Sequence, residues 1–177
     1  MVAVEYLTRL PYLDGNSSLT VAQDTSLTFA SNPYTFQCWI YLLNYPLSAN
    51  MMIMGNPLGG ESGNAGVFLA INAGNLIFRH WVNGNSNAVS TASVSLNTWH
   101  HVAGVASGTT SNVFLDGTMG TSGIIESNTD SNFQIGIVPG NGGYACNFAG
   151  YIDELKVTNG QALYTASFTP PTTAFTS

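Results

Sequence analysis

Turn-forming clusters interrupt this chain so often that no helix of ordinary length fits between them. Gly, Asn, Asp, Ser, Thr and Pro break the sequence at intervals of about 8–15 residues, leaving short apolar or alternating runs. Twelve segments read as strands: 9–13, 18–21, 34–43, 51–54, 65–71, 75–81, 88–94, 98–106, 111–115, 118–125, 133–138 and 148–158. Asn72-Ala73-Gly74-Asn75 and Asp116-Gly117 have hairpin chemistry, because Asn, Asp and Gly tolerate positive φ. Residues 111–125 therefore read as one hairpin. The Gly-rich stretches 55–66 and 139–143 fall between strands and read as loops. A chain of 177 residues with many short strands, no linker and no repeat is expected to form one antiparallel β-sandwich or barrel domain over residues 1–177.

Alternation assigns faces within the strands. Phe36, Cys38 and Ile40 share one face of their strand, and Gln37, Trp39 and Tyr41 the other. Both faces are largely apolar, which predicts a central strand. Trp99, His101, Ala103 and Val105 form one phase of a second strand, and His100, Val102 and Gly104 the other, which predicts His101 near a core face. The two cysteines, Cys38 and Cys146, lie in apolar strand-like stretches without C-x-x-C spacing. They read as buried free thiols, with one disulfide between them as the alternative.

Charge is scarce: only 7% of residues are Asp, Glu, Lys or Arg, against roughly 25% in ordinary soluble proteins. The cations are Arg9, Arg79 and Lys156, and the net charge is -6. Three scattered cations cannot neutralise a phosphate backbone or hold an anionic membrane, so nucleic acid and membrane insertion are excluded as expectations. Ser, Thr and Asn, 53 residues in all, supply the polar surface instead. Such a surface costs less to desolvate than a charged one and suits packing against other subunits. The N-terminus lacks the basic and apolar regions of a signal peptide, so synthesis and folding in the cytoplasm are expected.

Several segments, taken in order, resemble a known family. They are Tyr12-Leu13-Asp14-Gly15, Ser18-Leu19-Thr20-Val21, Asp24-Thr25-Ser26-Leu27 and Tyr34-Thr35-Phe36-Gln37-Cys38-Trp39-Ile40. Thr98-Trp99-His100-His101-Val102-Ala103, Val113-Phe114-Leu115-Asp116-Gly117 and Phe148-Ala149-Gly150-Tyr151-Ile152-Asp153-Glu154-Leu155-Lys156-Val157 follow. The succession resembles the concanavalin A-like lectin/glucanase jelly rolls, in particular their laminin-G-like branch. The ending Thr158-Asn159-Gly160-Gln161-Ala162-Leu163-Tyr164-Thr165, with Phe168-Thr169-Pro170-Pro171, resembles members carried by bacteriophages. The resemblance implies an all-β jelly-roll sandwich and core positions for Trp39 and Trp99.

The resemblance also sets what chemistry to seek. Its glucanases need an acid and a nucleophile from one strand in the pattern Glu-x-Asp-x-x-Glu, which this sequence lacks. Asp153-Glu154 is the one adjacent pair, and strand alternation predicts opposite faces for it. No nucleophile-elbow motif marks a Ser-His-Asp triad, and His80, His100 and His101 read as structural. No catalytic residue is therefore assigned. Relatives that hold calcium through Asp, Asn and carbonyl oxygens make calcium a possible cofactor, with Asp14 and Asp153 as candidate ligands. Trp81, Asn83, Asn85, Asn141 and Tyr144 combine aromatic faces with amides near loops, a pattern suited to a glycan. The resulting expectation is a non-enzymatic virion component, a capsid decoration or fibre-type protein. It would be released from the host cytoplasm to the outside, pack as a homo-oligomer among other virion subunits, and have a cell-surface glycan as a further candidate partner. A free-standing, calcium-dependent lectin is the alternative.

Overall fold

The structure is a computed structural model that describes residues 2–7, 12–22, 24–29, 32–45, 50–57, 66–82, 85–125, 132–137 and 147–175; for 2–7, 25, 57, 81–82 and 85–91 it describes backbone only. Two antiparallel sheets stack into the expected sandwich. The seven-stranded sheet runs β1 (Val2–Leu7), β13 (Ala149–Asn159), β4 (Tyr34–Leu42), β9 (Trp99–Ser107), β10 (Thr110–Leu115) and β11 (Thr118–Ile124), with β2 (Leu13–Asp14) also paired to β13. The six-stranded sheet runs β3 (Leu19–Val21), β12 (Phe133–Ile135), β5 (Met51–Pro57), β6 (Gly66–Asn72), β7 (Asn75–Val82) and β8 (Asn85–Ser93). A single 3-10 turn, Thr25–Leu27, is the helical element among the described residues.

Both hairpin turns read from the sequence form, although in the β6–β7 turn the first positive φ falls on Ala73, which lacks the chemistry of Asn, Asp or Gly. Ala73 and Gly74 join β6 to β7 at φ of 47° and 83°, and Asp116 and Gly117 join β10 to β11 at 49° and 75°. Two consecutive positive φ values match the twist of paired strands. The expected strand 9–13 survives only as Leu13–Asp14, since residues 8–11 lie outside the described part. β1 was not anticipated; its backbone pairs with β13 from Val2↔Asn159 to Leu7↔Leu155.

The core follows from alternation. Tyr34, Phe36, Cys38, Ile40 and Leu42 of β4 point inward, as do Val102 and Ala106 of β9 and Val113 of β10. They meet Ile53, Val67, Leu69, Ile71, Phe78, Phe133 and Ile135 from the other sheet. Phe29, Tyr34, Phe36, Phe78 and Phe133 form a connected ring cluster at its centre, with centroids 4.8–6.4 Å apart. Each fully buried Phe or Leu contributes roughly 1.5–3 kcal/mol relative to exposure. The sheets approach so closely at Gly104 that an added Cβ would stand 2.6 Å from the Phe78 ring. Cys38 is a buried free thiol; Cys146 lies outside the described residues.

Two expectations about the tryptophans and His101 need correction. The five inward residues of β4 leave Trp39 on the outer face with Gln37 and Tyr41, where it is half-buried. Trp99 pairs with Tyr41 and so shares that face, 44% exposed. His101, opposite Trp39, is fully buried but not in the sandwich core. Its phase of β9 faces outward, and the segment after β13 folds back to cover it.

Candidate functional site

The outer face of the seven-stranded sheet is divided crosswise into a covered half and an open half. The cover is the C-terminal tail, residues 161–175. Tyr164 and Phe168 stack on each other, 3.6 Å apart and 6° from parallel, and both pack on Phe114. His101 sits beneath Tyr164, Phe168 and Phe175 at 5.6–6.3 Å. The tail is also fixed by hydrogen bonds. Leu163 N–H donates to Thr35 Oγ1 at 3.0 Å, Tyr164 O–H to Gln37 Oε1 at 2.7 Å, and Phe168 N–H to the Gly117 carbonyl at 2.9 Å. A Cβ at Gly117 would collide with the Phe168 carbonyl, so the Asp116-Gly117 turn serves the tail as well as the hairpin.

Beside the tail runs an aromatic row. The register Tyr151↔Tyr41↔Trp99 sets three rings side by side across β13, β4 and β9, and Tyr12 extends the row beyond Tyr151. Successive centroids are 5.3, 5.9 and 5.6 Å apart. Tyr12 is 49% exposed and Tyr151 42%. Isolated exposed aromatics are ordinary; four in contact across one sheet form a surface with apolar faces and polar edges.

Between row and tail lies a groove of about 390 Å³, lined by Trp39, Trp99, Asp153, Glu154 and residues 171–174. That lies within the range of roughly 300–1,000 Å³ typical of small-molecule sites. The two carboxylates border it together because β13 bulges. Its pairing with β4 shifts register between Asp153 and Lys156, and Glu154 adopts φ of 51°. A bulge suspends alternation, so the expectation that these neighbours point to opposite faces fails here. The left-handed conformation costs about 1–2 kcal/mol in a non-glycine residue. Two bonds hold it: Glu154 N–H donates to Asp153 Oδ1 at 2.9 Å, and Glu154 Oε2 accepts from Phe175 N–H at 2.8 Å.

Burial lowers the His101 pKa to about 4, against a smaller raising effect from Asp116. Gln37 Oε1 already accepts from Tyr164, and an amide oxygen can only accept, so His101 Nε2 carries the proton it shares at 3.3 Å. His101 is thus a neutral structural element beneath the tail.

A second polar line lies at the sandwich rim. Ser95 Oγ is 2.7 Å from His100 Nε2, and His100 Nδ1 is 2.7 Å from Asp116 Oδ2. Asp116 Oδ1 accepts from His101 N–H at 2.9 Å, and Asp116 N–H donates to the His101 carbonyl at 2.8 Å. Sequence reasoning did not link these three residues, which are 5 and 16 positions apart. His100 pairs with core-facing Ile40, so the line lies on the opposite side of the sheet from the groove. It fastens the start of β9 to the β10–β11 turn.

The candidate residues from the sequence fare differently. β7 and β8 bring the backbones of Trp81 and Asn85 to one hairpin end, through Trp81↔Ser86 and Val82↔Asn85. Their side chains, and Asn83, Asn141 and Tyr144 altogether, lie outside the described residues. Asp14 and Asp153 are described. Asp14 Oδ1 accepts from Asn16 N–H, Ser17 N–H and Ser17 O–H at 2.8–2.9 Å, and these bonds, that from Asn16 first, lower its pKa. Asp14 pairs with Ala149, four residues from Asp153 along β13. At about 3.3 Å per residue the two are too far apart to share one calcium ion. Among the described residues no three His, Cys, Asp or Glu side chains converge as a metal site. The tryptophans of the groove, Trp39 and Trp99, were misread as core. The signal that could have found them is the aromatic outer phase Trp39/Tyr41 beside Trp99.

Fold and site together define a lectin-like jelly roll with an open aromatic face. Residues 13–166 match the laminin-G-like family Laminin_G_3 of the concanavalin A-like lectin/glucanases superfamily, and the chain belongs to that family. No curated protein matches the sequence. Among solved structures, the CBM40 domain of the Ruminococcus gnavus IT-sialidase bound to α2,6-sialyllactose superposes with a TM-score of 0.68 at 12% identity, covering 93% of this chain and 96% of that one. Domain 4 of AbnA, a GH43 extracellular arabinanase from Geobacillus stearothermophilus in complex with arabinotriose, gives 0.66 at 19%, covering 86% and 71%. Mouse laminin α1 chain domains LG4-5 give 0.61 at 13%; this chain matches over 88% of its length and spans 44% of theirs. At these identities the likeness is one of fold. No described helix is long and apolar enough to cross a membrane.

Proposed function

We propose that this chain is a non-catalytic saccharide-binding domain whose contact surface is the aromatic row and the adjoining groove. The observation that carries the reading is the open row itself: four touching rings, three of them more than 40% exposed, beside two carboxylates. Pyranose rings present C–H faces that stack on aromatic rings and hydroxyls that donate to carboxylates. Carbohydrate-binding domains among the structural neighbours support the class. The non-catalytic reading rests on the sequence, which lacks the Glu-x-Asp-x-x-Glu strand pattern that would supply an acid and a nucleophile.

A second reading places the domain in a virion as a capsid decoration or fibre-type component. The sparse charge supports it, since an aromatic surface among neutral side chains is easily desolvated against a neighbouring subunit. One experiment separates the two. A glycan array is paired with native mass by light scattering, with and without the best saccharide and with EDTA. A saccharide that binds and raises the melting temperature by mass action is the expected result. A fixed oligomer that ignores every saccharide would replace the first reading with the second. Loss of binding in EDTA would add calcium to the site.

A further inference from the structure

We propose that Ser95, His100 and Asp116 form a nucleophilic relay that takes an acyl group from an ester, a second site independent of the saccharide face. The sequence marks no nucleophile elbow here, and the three residues meet only in the fold. Their atoms stand in the order that such a relay needs: Ser95 Oγ is 2.7 Å from His100 Nε2, and His100 Nδ1 is 2.7 Å from Asp116 Oδ2. A carboxylate only accepts, so in the neutral ring the proton sits on Nδ1 and points at Asp116. Nε2 then offers a lone pair, and the Ser95 hydroxyl donates to it. In that arrangement a serine can hand over its proton as it attacks. Glycosidic cleavage needs an acid and a nucleophile from two carboxylates. Ester cleavage needs a hydroxyl, a base and a group that orients the base, and so is compatible with a saccharide face that does no chemistry.

Each member is held from outside the relay. Asp116 exchanges two bonds with the His101 backbone, at 2.9 and 2.8 Å, which fix its carboxylate against the start of β9. The turn that carries Ser95 is tied on both sides. Val94 N–H donates to the Gly74 carbonyl at 2.8 Å, Tyr45 O–H to the Val94 carbonyl at 2.6 Å, and Asn97 N–H to the Leu42 carbonyl at 2.8 Å. Val94 is anchored in the core and His100 is buried, whereas Ser95 is exposed. The base is shielded and the nucleophile can be reached.

The step balances with water as its one co-reactant. Ser95 Oγ adds to the ester carbonyl carbon while its proton passes to His100 Nε2. The C–O bond to the leaving alcohol breaks, the alcohol takes that proton, and the acyl group stays on Ser95. Water then gives a proton to the same Nε2, releases the acid and restores the hydroxyl. An exposed turn admits unhindered esters with small acyl groups, acetyl esters above all. The Asp116 side chain is 46% exposed, so solvent weakens its hold on the imidazolium and turnover is expected to be slow. The covalent step is the better readout.

The test treats the full folded chain with diisopropyl fluorophosphate and, separately, with p-nitrophenyl acetate. Peptide mass spectrometry locates the adduct, and nitrophenolate release follows acylation. A single adduct on Ser95 and a nitrophenolate burst of about one equivalent are expected. Ser95→Ala removes an exposed hydroxyl, so it should fold as before and lose both signals. Asp116→Asn keeps an oxygen for the His101 N–H, while its amide would donate to His100 Nδ1 and force the ring proton onto Nε2. Labelling should then fall on the order of hundredfold or more at an unchanged melting temperature. Imidazole nitrogen shifts in NMR should report the exchanged tautomer, which a merely structural Asp116 would not produce. A folded chain without an adduct on Ser95, adducts spread over other serines, or a burst that survives Ser95→Ala would overturn the relay. Undiminished labelling in Asp116→Asn would overturn it too. If Asp116→Asn unfolds, the adduct's position and Ser95→Ala still decide. The saccharide reading stands or falls separately, on the glycan array.

Discussion

One sheet face carries two aromatic clusters of similar make-up and opposite fate. Phe114 and His101 are roofed by Tyr164 and Phe168 of the tail, whereas Tyr12, Tyr151, Tyr41 and Trp99 stand open. Phe114 and His101 on one side, and Tyr151, Tyr41 and Trp99 on the other, all sit on the outward phase of their strands, and strand patterning alone cannot tell them apart. The difference comes from residues 161–175, a segment with no regular structure that reaches across half the face. Burial on the outside of a sheet is decided by what the chain does after its strands end. The covered half is therefore a stability element and the open half a surface available for contact.

The strongest way to break this division is to truncate one ring from each half. Phe114 is fully buried under the tail, so Phe114→Ala should cost about 3–5 kcal/mol. Trp99→Ala removes a ring nearly half in solvent and should cost under about 1 kcal/mol. Urea unfolding of the two variants measures both. Similar losses would mean that the open row is structural and that the division is false.

A smaller effect tests the roof through its buried histidine. His101 has a folded-state pKa of about 4, below its ordinary value of 6.5, so the unfolded chain binds the extra proton more readily. The contribution from keeping the ring neutral is present above pH 6.5 and is lost as pH falls towards 4. Stability should therefore drop by an amount on the order of 3 kcal/mol across that window. His101→Gln, which cannot titrate, should flatten that part of the profile. An unchanged slope in the variant would show that the tail does not seal the ring from water.

Much of the fold was legible, because a sandwich is written in period-two runs and turn residues. Asp116, Gly117 and Gly74 adopt the positive φ that their chemistry suggested, Ala73 adopts it without that chemistry, and β4 is central as its two apolar faces implied. The site was less legible for three physical reasons. Trp39 and Trp99 look like core residues until something fixes which phase faces inward, and only Phe36, Cys38 and Ile40 meeting the second sheet does so. Asp153 and Glu154 share a groove because of a bulge, which breaks the alternation on which face assignment rests. Residues 171–174 form a wall without any regular element to announce it. His101 shows the same point from the covered side: it was expected near a core face, but its phase faces outward and what buries it is the tail.

The least perturbing test sharpens the comparison without changing stability. Trp99 is 44% exposed on the open row, while Trp39 is half-buried between that row and His101, whose ring it meets edge-on at 5.5 Å. A neutral quencher such as acrylamide avoids the bias that a net charge of -6 imposes on iodide. Trp99→Phe should remove the most quenchable part of the emission, and Trp39→Phe a less accessible part. A saccharide that fills the groove should protect both, since both line it. Protection of Trp99 alone would place the sugar on the row rather than between row and tail. That outcome would keep the stacking surface and remove the tail's residues 171–174 from the contact.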